Sequence, residues 1–301
     1  MSKLLVWYGE LTTRRSLLER GALFLIPGML WLVFFIVLPG LVLVGVSLAT
    51  RGSYGQLEWQ FTLESYKRLA GFSLFGWTAD YLTILWRSVV VAFFTTLISV
   101  ILSYPLCFFI AARPARSRYL WLTLVIIPFW TNMVIRTYAW FLILAPELPF
   151  ARLAAYFGFI AEGAPLYPNA FAVYIGMVSM FLPFVALPLY ASVERLDWTL
   201  VEAANDLYAG RTRVFTQAIL PQTLPGLSVG IVLTFVPAMG MFVVPDLLGG
   251  AKYMLVGNLI QQQFGTSRDW PFGAAVSMAL MVLTMISLQL YRRRSKEIAY
   301  V

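Results

Sequence analysis

Residues 196–226 have the sequence LDWTLVEAANDLYAGRTRVFTQAILPQTLPG, which is polar although the segments on both sides of it are strongly apolar. Asp197 is a good helix cap, because its carboxylate can accept hydrogen bonds from the free N–H groups of a first helical turn. Gly210 can end that helix, and residues 211–218 can form a second short helix before Pro221. The stretch therefore predicts a polar helix–turn–helix set between two membrane spans.

The first of these helices is predicted to carry an apolar stripe at helical spacing, made of Leu196, Leu200, Ala203, Ala204 and Leu207. Such a stripe can dock into a groove on a partner protein. The alternative is an amphipathic helix that lies at the lipid surface or packs under the bundle, but helices at a membrane surface usually carry Lys and Arg on the polar face. Here the polar residues are Glu202 and Asp206, which favours a protein partner.

The composition of the whole chain indicates an all-α integral membrane protein. Its 301 residues are 60% hydrophobic and 12% charged, whereas a soluble domain is about 45–50% apolar and about 25% charged. With no histidine and with Cys107 as the one cysteine, an internal disulfide, Ser–His–Asp catalysis and the commonest metal ligand are all excluded. No enzymatic activity and no metal site are expected. The chain has a net charge of +8, but its basic residues lie beside the membrane spans. Their placement is what the topology of a membrane protein requires and does not indicate nucleic-acid binding.

Six segments have the roughly 20 apolar residues that a membrane span needs. They lie at about residues 21–49, 88–112, 119–145, 166–193, 223–248 and 272–291. The first run is about twice as long as the core of a signal peptide, so we expect it to remain as an anchor in the bilayer. The predicted organisation is an N-terminal segment (1–20), one transmembrane domain (21–291) containing the polar loop (194–222), and a basic tail (292–301).

Lysine and arginine residues are concentrated on one side of these spans. Fourteen lie on the side of both termini and of the polar loop: Lys3, Arg14, Arg15, Arg20, Arg113, Arg116, Arg118, Arg195, Arg211, Arg213, Arg292, Arg293, Arg294 and Lys296. Seven lie on the opposite side: Arg51, Lys67, Arg68, Arg87, Arg152, Lys252 and Arg268. Because cytoplasmic loops carry the excess of Lys and Arg, both termini and the polar loop are predicted to face the cytoplasm.

The stretch EAANDLYAGRTRVFTQAILP resembles the EAA loop of permease subunits from bacterial ABC importers. The residues that match that pattern in type and spacing are Glu202, Ala203, Ala204, Leu220 and Pro221, whereas Tyr208 and Ala218 stand where the family has Gly and Ile. The resemblance implies a pair of coupling helices that insert into a cleft of an ATP-hydrolysing subunit. The residues that it assigns to this contact are Glu202, Ala203, Ala204, Asp206, Tyr208, Gly210, Leu220 and Pro221.

Tyr208 affects the expected geometry of the turn. A Gly at this position would permit a left-handed backbone, which a Tyr adopts only at a cost of about 1 kcal/mol. We therefore expect either that Gly210 takes over the turn or that the first helix runs on past Tyr208.

Three further stretches are similar to the spermidine/putrescine branch of the same family: PFWTNMVIRTYAW (128–140), PAMGMFVVPDLLGGAK (237–252) and RDWPFGAA (268–275). The resemblance implies the type I ABC importer permease fold in the bacterial inner membrane. It also implies two copies of an ATPase subunit, a sibling permease that forms a heterodimer with this chain, and a periplasmic polyamine-binding protein. The sequence has no Gly-x-x-x-x-Gly-Lys phosphate loop, so ATP and Mg²⁺ are expected to bind to the partner ATPase.

A few residues of the spans are candidates for the path of a cation. Asp246 lies late in the fifth predicted span, and an intramembrane carboxylate is a functional candidate, although it could instead cap a helix end or lie in water. Trp130 and Tyr138 could hold an ammonium group over a ring face, beside Asn132. Arg136 would repel a polyamine; counted along a straight helix it lies near the outer surface, where we expect it to reach the interface or pair with an acid.

These features predict a permease subunit that supplies half of a translocation path for polyamines and performs no covalent chemistry. The same architecture carrying another small solute is the main alternative, and a gradient-driven transporter is another. An anion path should be lined by Arg and Lys, and a stand-alone transporter has no use for an exposed coupling loop. A membrane-embedded enzyme has little support without His or clustered intramembrane acids.

Overall fold

A computed structural model describes residues 17–52, 55–73, 76–250 and 253–299 of the chain. The expectations for residues 1–16 and for Lys252 lie outside these ranges. In chain order the helices are α1 (Leu17–Ser47), α2 (Glu64–Leu69), α3 (Asp80–Ala111), α4 (Ala115–Trp130), α5 (Met133–Ile143), α6 (Pro149–Tyr156), α7 (Ala170–Val193), α8 (Trp198–Asp206), α9 (Arg211–Val214), α10 (Leu220–Met239), α11 (Val243–Gly249), α12 (Val256–Phe264) and α13 (Trp270–Ala299). A π-helical turn, Phe215–Ile219, joins α9 to α10. Two short antiparallel hairpins, β1 (Thr50–Arg51) with β2 (Leu57–Glu58) and β3 (Phe72–Ser73) with β4 (Gly76–Trp77), lie between α1 and α3.

The helices supply all six predicted apolar segments. Four single helices, α1, α3, α7 and α13, are long and apolar enough to cross a membrane, and so is the continuous run of α9 and α10. The pair α4 and α5 supplies the sixth segment, with a bend of 96° between its halves. The prediction of an all-helical membrane protein is thus confirmed, and the structure has the six predicted spanning segments when the bent pair is taken as one span. The backbone of α1 begins at Leu17 and that of α13 continues to Ala299, so both helices extend past the predicted limits of the membrane domain.

α7 lies at the centre of the bundle, packed between α3 and α10. Glycines of α10 permit the close approach. A Cβ added at Gly230 would lie 2.9 Å from the Cα of Val185, and one added at Gly226 would overlap the carbonyl oxygen of Pro188. Small residues at helix interfaces let membrane helices gain the van der Waals contact that holds them together in lipid. The α7–α10 pair is therefore a tight unit.

The third predicted span is bent where a straight helix was expected. α4 ends at Trp130, Thr131 is extended, and Asn132 caps α5 by accepting a hydrogen bond from the Val134 N–H at 2.8 Å. Asn is among the best N-cap residues, so the chain starts a new helix here. The straight-helix position of Arg136 is therefore wrong. Its guanidinium donates to the Thr131 carbonyl oxygen at 3.2 Å, so it satisfies backbone freed by the bend, and among the described residues it has no acidic partner.

The fifth predicted span is interrupted as well. α10 ends at Met239, and after a short irregular stretch α11 forms a separate helix that carries Asp246. The side-chain amide of Asn258 donates to the carbonyl oxygen of Phe242 at 2.9 Å, which satisfies one polar group of the break. The interruption sets Asp246 apart from the long helix.

Asp269 holds three elements together at the end of the bundle away from the polar loop. Its buried carboxylate pairs with Arg68 at 2.8 Å and with Arg51 at 3.8 Å, and it accepts a hydrogen bond from the Phe272 N–H at 3.3 Å at the start of α13. The guanidinium of Arg68 also lies 4.1 Å from the centre of the Phe272 ring. Burial lowers the pKa of Arg68, but its hydrogen bonds to Tyr81 and Asp269 more than offset this, so the pKa is raised and the cation persists.

We expect Asp269→Asn to destabilise the fold by about 1–3 kcal/mol, because the amide keeps the shape of the side chain but removes the charge that two guanidinium groups share. Arg51 and Arg68 are partly exposed, which limits the cost compared with a fully buried pair. The melting temperature of the detergent-solubilised protein measures the effect. Glu147→Gln, at an exposed carboxylate, is the control and should not change the melting temperature. Equal losses in the two variants would contradict the role of Asp269.

Candidate coupling loop and transport path

Residues 194–222 form a helix–turn–helix with a small core of its own. α8 begins as predicted, since Asp197 Oδ1 accepts a hydrogen bond from the Thr199 N–H at 3.0 Å. The buried side chains of this core are Leu196, Val201, Val214 and Ala218. They pack against Phe108 of α3. The rings of Trp198 and Phe108 are arranged edge to face, with their centroids 6.4 Å apart. The loop is thereby fixed in position against the bundle.

Polar contacts tie both ends of the loop to the spans. Gln222 Oε1 accepts a hydrogen bond from the Asp197 N–H at 2.9 Å, and its Nε2 donates to the Ala218 carbonyl oxygen at 2.8 Å. Glu194 forms an ion pair with Arg118 of α4 at 3.0 Å. The Asp197–Gln222 and Arg118–Glu194 contacts join residues that are 25 and 76 positions apart, so no local pattern could identify Gln222 or Glu194 beforehand.

The predicted apolar stripe of α8 is divided between a buried and an exposed face. Val201 and Ala204 face the core of the loop, and Leu196 precedes the helix. The remaining members of the predicted stripe are exposed: Leu200, Ala203 and Leu207. The predicted stripe does not form a single face for docking, because Ala204 is turned to the core of the loop; Val201, and not Leu200, marks the inward face. α8 thus presents an apolar strip to its surroundings.

The turn after α8 takes its left-handed conformation at Tyr208 itself, whose φ is 56°. The Ala209 N–H donates to the Ala204 carbonyl oxygen at 3.1 Å, and the Tyr208 N–H donates to that of Asn205 at 2.9 Å. These two bonds form the Schellman helix end, which most often uses Gly at this position. Both expected alternatives are wrong: α8 does not run on, and Gly210 has a φ of −64° and precedes α9.

The second half of the loop continues directly into a membrane span. α9, the π-helical turn and α10 form one unbroken helix, Arg211–Met239. The prediction of a separate short helix over residues 211–218 is therefore wrong. The wider turn comes directly before Pro221, whose missing N–H would interrupt an ordinary α-helix, and it carries the helix past the proline. Leu220 and Pro221 lie in this long helix.

Most of the residues that the resemblance assigns to the ATPase contact are accessible. The exposed ones are Glu202, Ala203, Asp206, Tyr208, Gly210 and Pro221. Ala204 and Leu220 are half-buried, and Ala204 belongs to the core of the loop. Within the described part of the chain, the Glu202 carboxylate makes no hydrogen bond and no ion pair. It is therefore free for a contact with another protein.

The four candidate path residues lie on or beside the two broken spans. α5 and α11 pack against each other in the largest core of the bundle, so the helix that carries Tyr138 contacts the helix that carries Asp246. Both of these side chains are exposed within the chain, as is Trp130 at the end of α4, which is 85% exposed. Asn132 already uses its carbonyl oxygen to cap α5, which leaves its NH₂ group for a ligand.

The chain is similar to known transport proteins over most of its length. The family model described as "binding-protein-dependent transport system inner membrane component" matches residues 103–298. The spermidine/putrescine transport system permease protein PotB of Escherichia coli is 40% identical over 266 residues, which cover 88% of this chain and 94% of that protein. PotB of Haemophilus influenzae is 39% identical over the same share of this chain and 91% of its own length.

The crystal structure of a bacterial ABC transporter involved in the import of the acidic polysaccharide alginate contains a chain that matches with a TM-score of 0.64. The match covers 92% of this chain and 94% of that one, at 14% sequence identity, and bears on the fold alone. Together with the six spanning segments, it identifies the fold as that of the type I ABC importer permeases. The chain belongs to the family of binding-protein-dependent transport system inner membrane components, the multi-pass permease subunits of ABC importers.

Proposed function

We propose that this chain is one of two permease subunits of an ATP-driven polyamine importer in the bacterial inner membrane. The observation that carries the proposal is the 40% identity to the E. coli spermidine/putrescine permease over 88% of this chain. The chain itself performs no covalent chemistry. ATP and Mg²⁺ bind to a separate ATPase, of which the complex contains two copies.

The loop over residues 194–222 is the surface that contacts one ATPase copy. The exposed carboxylate of Glu202 and the apolar strip beside it supply both a charged and a hydrophobic contact. Since the loop has a core of its own, it moves as one rigid unit when the ATPase changes conformation. The motion then reaches α7 and α10, which enter and leave the loop, and tilts them to open the path on alternate sides.

A sibling permease forms the other half of the path. Residues 24–39 of α1 are exposed throughout within this chain, so the first span is available to lipid and to a second permease. Asp246, Trp130 and Tyr138 are likewise exposed in the single chain. A path between two permeases would be lined by side chains that a single permease leaves uncovered.

The polar loop and both termini face the cytoplasm in this proposal. The excess of Lys and Arg on that side supports the orientation. The opposite end, which carries the hairpins and α6, then faces the periplasm and receives substrate from a polyamine-binding protein.

The proposed path runs beside the two broken spans. Broken helices near the middle of a membrane protein commonly form the substrate site, because their free backbone groups line a cavity. The carboxylate of Asp246 would attract an ammonium group, and the rings of Trp130 and Tyr138 would hold it over their faces. Asn132 would contribute its NH₂ group as a donor to the wall of the path.

The test is ATP-driven uptake of radiolabelled spermidine and putrescine in proteoliposomes that contain this chain, its sibling permease, the ATPase and the binding protein. We expect uptake that requires ATP and that falls at least about tenfold in Asp246→Asn, because the variant removes a charge that attracts the substrate. Asp80→Asn, at an exposed carboxylate at the start of α3, is the matched control and should retain uptake.

Other outcomes would point elsewhere. If another solute stimulates ATP turnover and polyamines are not taken up, the proposed architecture is correct and the proposed substrate is wrong. Uptake driven by an ion gradient in the absence of ATP would support the gradient-driven alternative. A chain that binds to no ATPase would overturn the proposal.

A further inference from the structure

Tyr208 combines an unfavourable backbone conformation with a side chain that the rest of the described chain leaves almost fully exposed. Its φ of 56° lies in the left-handed region, and the Schellman bonds around it suit a Gly. The side chain is 98% exposed, and that of the preceding Leu207 is 81% exposed. Strained residues of this kind persist only where the surrounding structure holds them in place, and they cluster at functional sites.

The turn that presents Tyr208 is held firmly in place. Ala204 and Ala209, on the two sides of the turn, pack against the core of the loop. The backbone that carries the Tyr208 ring is therefore held by the core of the loop. A rigid aromatic side chain with few rotatable bonds loses little entropy on binding, and such residues dominate the energy of many protein interfaces.

The surroundings of the turn favour a protein partner over lipid. Leu200, Ala203 and Leu207 form the exposed apolar strip that leads to Tyr208, and the exposed acids Glu202 and Asp206 lie on the same helix. Acids at this position would be repelled by anionic headgroups of a cytoplasmic leaflet. An interface with a protein can pair the same acids with basic residues.

We propose that the Tyr208 ring inserts into an apolar recess of the ATPase subunit and is a main determinant of the affinity of this permease for it. The proposal rests on the proposed function, in which the loop contacts the ATPase. It adds that the ring, and not only the turn that carries it, is required. The strain at Tyr208 is retained because Gly, the residue that best fits the turn, has no side chain to insert.

The experiment compares Tyr208→Gly, Tyr208→Phe and Tyr156→Ala in the detergent-solubilised permease pair. The affinity for the purified ATPase and the melting temperature of the permease pair are both measured. We expect Tyr208→Gly to lower the affinity at least about tenfold while its melting temperature equals or exceeds that of the unaltered chain. Tyr208→Phe keeps the ring and should bind within about threefold of the unaltered protein. Tyr156→Ala removes a similarly exposed ring, 84% exposed, from α6, which lies away from the ATPase in the proposed complex, and should bind normally.

Opposite effects on stability and on affinity would identify the ring as a binding element. Unchanged affinity in Tyr208→Gly, with the unaltered chain binding the ATPase, would overturn this inference alone; a ring that contacts lipid would give that result in detergent. If the unaltered permease pair does not bind the ATPase, the proposed function fails and this inference fails with it.

Discussion

Glu202→Ala is expected to reduce ATP-driven uptake at least about thirtyfold while the melting temperature of the protein stays unchanged. Removing one member of a charge pair that is buried at an interface costs about 2–5 kcal/mol, largely because the partner charge is left without compensation. Within the described residues the Glu202 carboxylate has no partner, so its loss costs the isolated chain nothing. Ala is the best helix former, so α8 itself should persist. Uptake into proteoliposomes and thermal unfolding in detergent are the two measurements.

A matched control separates a coupling defect from a general one. Glu147→Ala also removes an exposed carboxylate, but in a segment that has no contact with the ATPase in the proposed complex. It should leave uptake intact. Substrate binding should survive in Glu202→Ala, because the candidate path residues lie at or beyond the breaks after α4 and α10, at the ends of these helices away from the loop. Normal uptake by Glu202→Ala would remove this carboxylate from the coupling contact.

Gly226→Ala is expected to lower the stability of the bundle by about 3 kcal/mol, the upper end of the usual cost of overpacking. The added Cβ would overlap the Pro188 carbonyl oxygen and the Ser192 hydroxyl of α7. The first of these is backbone, which cannot rotate away as a long side chain can. α7 and α10 must therefore move apart, and the close contact that holds the pair together is lost. Thermal unfolding in detergent measures the loss directly.

Gly40→Ala is the control for this substitution. It also replaces Gly by Ala inside a membrane helix, but a Cβ at Gly40 has nothing within 4 Å in this chain. Because Ala is a better helix former than Gly, this variant should be as stable as the unaltered protein or slightly more so. If Gly226→Ala and Gly40→Ala have the same melting temperature, the tight contact between α7 and α10 does not exist in the folded protein.

The sequence was sufficient for those features that depend on short stretches of chain. The apolar runs predict six spanning segments because the thickness of the bilayer sets the length that a span requires. Asp197 predicts the start of α8 because its side chain bonds to a backbone group two residues away. The presence of the polar helix–turn–helix followed from the same local reasoning.

The features that the sequence did not predict depend on distant contacts or on competition between local signals. Asn132 begins a new helix inside an apolar run that hydropathy treats as uniform, and Arg136 then finds its partner on the bent backbone. The inward face of α8 depends on Phe108, about 90 residues earlier in the chain. At Tyr208, the two bonds of the helix end outweigh the usual preference for Gly.

The unbroken helix from Arg211 to Met239 joins the second half of the loop to the fifth span without a break. At about 1.5 Å per residue it is about 43 Å long. A small tilt imposed at the Arg211 end would therefore displace the opposite end of the helix. The π-helical turn departs from regular α-helical bonding and is a point at which this helix can bend. In the proposed complex, the stiffness of this turn would determine how much of the movement imposed by the ATPase reaches the far end of α10, and how much is absorbed as bending.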